Sequence, residues 1–300
     1  MPMNLNPWTR PARFLAVCAF AFAAVTAHAA DLRRVTVEDG VELAVRRTEG
    51  GRIPVFFLHG YSLSMDTWEK VLPMFPARRY TTIAYDLRGF GDSSKPPTGY
   101  TMAQHVKDLV GLMDRMNIRR AVLVGHSLGG AIGQEFATSH PERTLALVTS
   151  DAFARFTVAP PVTEPIRKRA ESFGSMEQNR TLLEGAVPRY FDVRNQNSAD
   201  IERFIGVTLK ASTPALREQL LDAYAFPQID IAKYKALTVP VLAATGAVDK
   251  VVPAENAILI SDVVPDSEIL LVPRAGHTPM WERPEAWARP VVDFLDRRVK

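Results

Sequence analysis

The stretch Val122-Leu-Val-Gly-His-Ser-Leu-Gly-Gly-Ala-Ile-Gly133 forces a sharp event on any backbone that contains it. Its first residues are an apolar run that reads as a buried strand, and Leu128–Ser139 carries a helical pattern. The strand must therefore turn into a helix within a residue or two, with Ser127 at the corner. A serine there needs strained backbone angles, and flanking glycines relieve the crowding. The first N–H groups of the new helix then face the corner, where the positive end of the dipole can stabilise an anion. Helix capping alone would explain Ser127. It would not explain glycines at 125, 129, 130 and 133. Ser127 is read as a nucleophile.

The rest of the chain supplies a matching frame. Val35–Arg47 reads as a hairpin turning at Asp39-Gly40. Short, continuously apolar runs follow at 53–58, 81–85, 121–124, 145–148, 239–244 and 268–272. Strands apolar on both faces belong in parallel sheets covered by helices. Helical patterns lie between them at 102–116 and 128–139 and close the chain at 284–299. This alternation predicts an α/β sheet. The rhythm breaks between Phe153 and about Pro227, where no strand-like run occurs. That length is too great for an ordinary connection. It predicts a mainly helical insertion, 154–227, over the open end of a core formed by 30–153 and 228–300.

A serine hydroxyl is a poor nucleophile without a base, and the chain offers six histidines. His28 falls in the expected leader. His126 adjoins Ser127, and side chains of neighbouring residues at such a turn tend to diverge. His105 is placed at the surface of its helix, and His140, before Pro141, at a helix end suited to capping. His59 ends an early strand and is followed by Gly60, so its backbone matters more than its ring. His277 lies in Pro273-Arg-Ala-Gly-His-Thr-Pro279, just after the last apolar run, where a parallel sheet presents its catalytic edge. Asp249, after the preceding run, is the carboxylate expected to orient it, with Asp151 as the second candidate.

The N-terminus is separate. Arg10 and Arg13 precede an apolar core from Phe14 to Ala27 and an Ala27-His28-Ala29 ending. This pattern predicts a secretory signal peptide, 1–29, cleaved after Ala29 or Ala30. The apolar core is too short for a membrane span. Cleavage removes two arginines, taking the formal charge from +3 to +1, and removes the only cysteine, Cys18. So weak a charge gives no basis for nucleic-acid binding. A chain without thiols has no disulfide, cysteine nucleophile or thiolate zinc site, and it suits a periplasmic or secreted location.

Leu58-His-Gly-Tyr61, Asp86-Leu-Arg-Gly-Phe-Gly-Asp-Ser93, Gly125–Gly130, the Asp249 loop and Gly276-His277 with Glu282-Arg-Pro-Glu285 together resemble the α/β-hydrolase superfamily, specifically its members with a helical cap. The order Ser127, Asp249, His277 is the one expected there. The resemblance implies a mostly parallel sheet of about eight strands flanked by helices. It implies an oxyanion hole from the backbone N–H groups of Tyr61 and Leu128, with His59 and Gly60 shaping the first loop and the Asp86–Ser93 stretch structural. Relatives that open epoxides or displace halide carry an aspartate where this chain has Ser127.

The expected activity is hydrolysis of a small carboxylic ester or lactone, with no metal or organic cofactor. Cleavage of a carbon–carbon bond beside a ketone and peracid formation are alternatives on the same residues. A non-catalytic receptor that keeps the pocket is a further class. Trp68, Phe153, Phe156, Met280 and Trp281 could line an apolar cleft or simply pack in the core. Arg167-Lys-Arg169 could favour an acidic substrate or simply be a solvated helix face.

Overall fold

A computed structural model describes residues 31–157, 162–195, 197–225 and 228–300, so the expected leader, with Cys18 and His28, lies outside the described residues. The strands are β1 (Asp31–Glu38), β2 (Val41–Thr48), β3 (Ile53–Leu58), β4 (Tyr80–Tyr85), β5 (Ala121–His126), β6 (Thr144–Ser150), β7 (Val241–Gly246) and β8 (Ser267–Val272). They form one sheet in the order β1-β2-β4-β3-β5-β6-β7-β8. β2 pairs antiparallel with both β1 and β4, and every other pairing is parallel. The β1–β2 turn falls at Asp39-Gly40, where Gly40 takes a φ of 75°.

Alternate residues of each central strand feed opposite cores, which is why the runs are apolar throughout. Phe56 and Leu58 join Leu123 and Leu147 on one face, under α1 (Met102–Arg115) and α2 (Leu128–Ser139). Val55 and Phe57 join Val122, Val124 and Val148 on the other.

Between β6 and β7 the described residues contain no strand. They fold into α3 (Glu164–Ser172), α4 (Met176–Glu184), α5 (Val187–Tyr190), α6 (Ser198–Thr208), α7 (Thr213–Ala225) and α8 (Ile231–Lys235). After β7 come α9 (Glu255–Val263), then β8, α10 (Pro279–Glu282) and α11 (Pro284–Arg298). Trp287, Val291 and Phe294 of α11 close the second core.

The helical segment is seated on the loops that follow β3 and β4. Phe191, Phe204 and Val207 pack with Leu63 and Trp281 in a third apolar cluster. Tyr61 donates its hydroxyl hydrogen to Leu216 O at 2.7 Å, and Ser212 N bonds Gly89 O at 2.8 Å. The placement of His105 at a helix surface is corrected here. It is fully buried, with Nε2 bonded to Gln219 Oε1 of α7. Burial pushes its pKa down to about 3.

The chain runs from β3 outward to β4 and then returns past β3 to β5. That reversal opens a crevice between the carboxyl ends of β3 and β5. Four non-glycine residues with positive φ lie in loops at this edge of the sheet: Ser62 (63°), Ser127 (50°), Asp151 (53°) and Arg274 (54°). Such angles are costly and persist where the surroundings enforce them, commonly at functional sites.

Candidate active site

Ser127 follows β5 with φ 50° and ψ −113°, and its side chain accepts no capping hydrogen bond from α2. The strained corner is therefore not repaid by helix capping. The glycines around it are explained by contact. A Cβ on Gly125 would lie 2.3 Å from Gly129 O, and one on Gly129 would lie 2.1 Å from Leu58 O. Leu128 is the first residue of α2, so its N–H has no partner within the helix by position. Across the crevice, a Cβ on Gly60 would fall 3.2 Å from Ser127 Cβ and 2.6 Å from His126 Nδ1. The His59–Tyr61 backbone thus passes directly beside the serine.

His277 is buried, and its Nδ1–H donates to Asp249 Oδ2 at 2.7 Å. That leaves Nε2 as the basic lone pair. Asp249 Oδ1 accepts the N–H groups of Val251 (2.7 Å) and Val252 (3.0 Å), so the carboxylate is held from both ends. The loop around His277 is pinned in turn. His277 N bonds Tyr190 O at 2.7 Å. Glu282 accepts from Gly276 N at 2.8 Å and from Asp192 N at 2.7 Å, tying the loop to the helical segment. Burial raises the pKa of Glu282.

Two further residues enter the site from positions the sequence left in minor roles. His126 does not diverge from the site. Its Nε2–H donates to the backbone oxygen of His277 at 2.7 Å, with ring centroids 4.9 Å apart. The ring is wholly buried, and desolvation holds its pKa well below the ordinary value, so it is neutral. Asp151 was read as the second candidate acid and lies beside the first. Asp151, Asp249 and His277 bring polar atoms within 4.8 Å of one another, the only such group among the described residues that could share a metal ion. His277 and Asp249 are directly bonded, and Asp151 lies beside the pair.

The pocket candidates divide. Gly60 touches the crevice. His59 does not offer its ring to a substrate: it is buried, Nδ1–H donates to Gly60 O at 2.8 Å and Nε2 accepts Leu87 N–H at 2.9 Å. Desolvation lowers its pKa to about 4. Trp68 and Met280 are core residues on the α11 face of the sheet, with Trp68 against Phe57 and Trp287. Trp281 is buried with Phe204 beneath the helical segment. These three are corrected from cleft to core, because their rings and side chains are consumed by packing. Phe153 is exposed, and Phe156 packs on Tyr234. The Asp86–Ser93 stretch is structural: Asp86 accepts Met65 N–H and Asp92 N–H, each at 2.7 Å, and Arg88 pairs with buried Asp108.

A strained, uncapped serine at a topological switch point, with a buried His–Asp pair on the loops after β7 and β8, fits an α/β fold of the hydrolase type. Residues 53–284 match the family model described as alpha/beta hydrolase fold, and the chain belongs to that family. It is 31% identical over 272 residues, covering 87% of this chain and 89% of the relative, to 2-hydroxy-6-oxo-6-(2'-aminophenyl)hexa-2,4-dienoic acid hydrolase of Metapseudomonas resinovorans. It is 30% identical to the non-heme chloroperoxidase of Streptomyces lividans, over 74% of this chain and 84% of that one. Among solved structures it is similar to a thermophilic esterase from Thermogutta terrifontis, with TM-score 0.78 and 25% identity, covering 90% of this chain and 100% of that one.

Proposed function

We propose that the protein is a serine hydrolase that cleaves a small carboxylic ester or lactone. The observation that carries this reading is the backbone of Ser127, held at φ 50° without capping the helix it heads. In the reaction, Ser127 Oγ attacks the carbonyl carbon while His277 Nε2 takes its proton. Asp249 holds the Nδ1–H side and offsets the charge that forms on the ring. The N–H groups of Leu128 and Tyr61 receive the oxyanion, a single such donor contributing about 2.7–4 kcal/mol to the barrier. His277 then protonates the leaving alcohol, and water attacks the acyl-enzyme with His277 as base. Residues 154–227 act as the cap that sets which acyl and alcohol groups enter.

A second reading on the same residues is hydrolysis of a carbon–carbon bond next to a ketone. It is favoured by the 31% identity to a hydrolase whose named substrate carries a 6-oxo group and no ester. The first test is Ser127→Ala, which should lower kcat on short aryl esters by on the order of 10⁶-fold with the fold intact. Turnover at the parental rate would refute Ser127 as nucleophile. A side-by-side panel of aryl esters, lactones and vinylogous diketone acids separates the two readings. A receptor would bind members of the panel and turn over none.

We also propose export by the segment 1–29. Among the described residues no helix is long and apolar enough to cross a membrane. The intact mass of protein recovered outside the cytoplasm should begin at Ala30 or Asp31. Retention of Met1 there would refute cleavage.

A further inference from the structure

The buried carboxyl of Asp151 has no part in the reaction as written, yet it is built into the same site. Its backbone φ is 53°, a strained angle at the end of β6, as that of Ser127 is at the end of β5. The register explains the juxtaposition: His126 pairs with Ser150, so the residues that follow them, Ser127 and Asp151, leave the sheet side by side. Asp151 is wholly buried, with a carboxyl oxygen within 4.8 Å of the polar atoms of Asp249 and His277. Two adjacent carboxyls in such a place cannot both be ionised.

The partners decide which one keeps the proton. Asp249 accepts three N–H donors, those of Val251, Val252 and His277 Nδ1. Both oxygens of Asp249 are thus already engaged as acceptors. Asp151 accepts Gly246 N–H at 2.8 Å and the Ser150 hydroxyl at 2.6 Å, leaving a lone proton to be placed toward Asp249. Ser150 is itself fixed by Trp287 Nε1–H at 3.0 Å, so the chain of bonds is anchored in the core under α11. Burial, and next the charge of Asp249, push Asp151 well above the ordinary carboxylate range.

We propose that Asp151 is a positioning residue of the hydrolase site, a neutral carboxylic acid that donates its proton to Asp249 and holds that carboxylate against His277. This rests on the reading of Ser127, His277 and Asp249 as the reacting set. The neutral form supplies a donor without adding a second negative charge beside His277. An ionised Asp151 would hold the imidazolium too tightly for it to release its proton to the leaving group. Other ionisable groups around the His277 loop are neutral His126 from β5, Tyr190 of α5 with its ring 5.6 Å from that of His277, Asp192, Glu282 from α10 and Lys250, the residue after Asp249.

The test compares the full-length parent with Asp151→Asn, Asp151→Ala and Ser127→Ala. Infrared difference spectra at pH 8 should show a carboxylic-acid carbonyl band in the parent and in Ser127→Ala that Asp151→Asn removes. Asparagine keeps a donor at this position, so Asp151→Asn should retain parental kcat on an aryl ester within a few-fold. Asp151→Ala should lower kcat about tenfold to a hundredfold with KM little changed, the scale of one hydrogen bond to a charged group. The absence of the band would overturn the proposal, as would parental kcat in Asp151→Ala or equal losses in both variants. Ser127→Ala with parental turnover would refute the reacting set instead, and the infrared band would still decide the protonation of Asp151.

Discussion

Gly60 decides how closely the two loops of the crevice approach. The His126 ring is committed below it: Nε2–H is used on His277 O, and the unprotonated Nδ1 faces the Gly60 Cα with no hydrogen-bond partner among the described residues. A methyl at position 60 would meet that nitrogen at 2.6 Å and Ser127 Cβ at 3.2 Å. Neither neighbour can give way, since Ser127 sits in a strained backbone well and His126 is held at both strand and loop. The loop carrying Tyr61 must retreat instead. Gly60→Ala should cost about 1–3 kcal/mol of stability through overpacking. It should also lower kcat on an ester by about 10²–10³-fold, as expected when one oxyanion donor is displaced. Urea unfolding and steady-state rates on the same preparation check both; a variant with parental kcat would remove the β3 loop from the oxyanion site.

At the level of elements, the strands were legible because each is apolar on both faces, a pattern that only a covered parallel sheet satisfies. The β7 run was read two residues early, from Val239, because Pro240 cannot donate to a ladder and the strand begins at Val241. The burial of His105 follows from the apolar pattern of α1. Met102, His105, Val106, Leu109, Leu112 and Met113 are spaced by three and four and form one buried stripe of α1, so His105 lies on the covered face. His126 and Asp151 were a different matter. Their entry into the site depends on the pairing of β5 with β6 and on the path of the His277 loop, and neither is written in local sequence. Ser127, Asp249 and His277 could be nominated because each follows a recognisable strand. Trp68, Met280 and Trp281 could not be assigned, since an aromatic or Met in a loop reads the same whether it meets a ligand or a second ring.

Across the whole molecule, burial moves several ionisable groups away from their ordinary titration range, and this sets how the fold answers to acid. Desolvation holds His59 down to about 4 and His105 down to about 3. Asp86 is displaced the other way, raised to about 6 by burial. The unfolded chain protonates a histidine near its ordinary value of 6.5, while folded His105 refuses the proton until about 3. Between these limits the unfolded state binds more protons, so the contribution of His105 is lost as pH falls. Asp86 has the opposite sign: folded, it holds a proton up to about 6, so its contribution weakens as pH rises from its unfolded value towards 6. The two trends oppose each other in bulk acid unfolding, and a single substitution separates them. His105→Gln removes one titration while keeping a donor for Gln219 of α7. Its stability should fall less steeply than the parent's below pH 6.5, the gap between the two closing by about 1.4 kcal/mol for each pH unit. Urea midpoints and slopes for both proteins from pH 7 to pH 4.5 measure this. A gap that stays constant over that range would mean that His105 takes up its proton in the folded protein, and that the contact between α1 and α7 tolerates a charge.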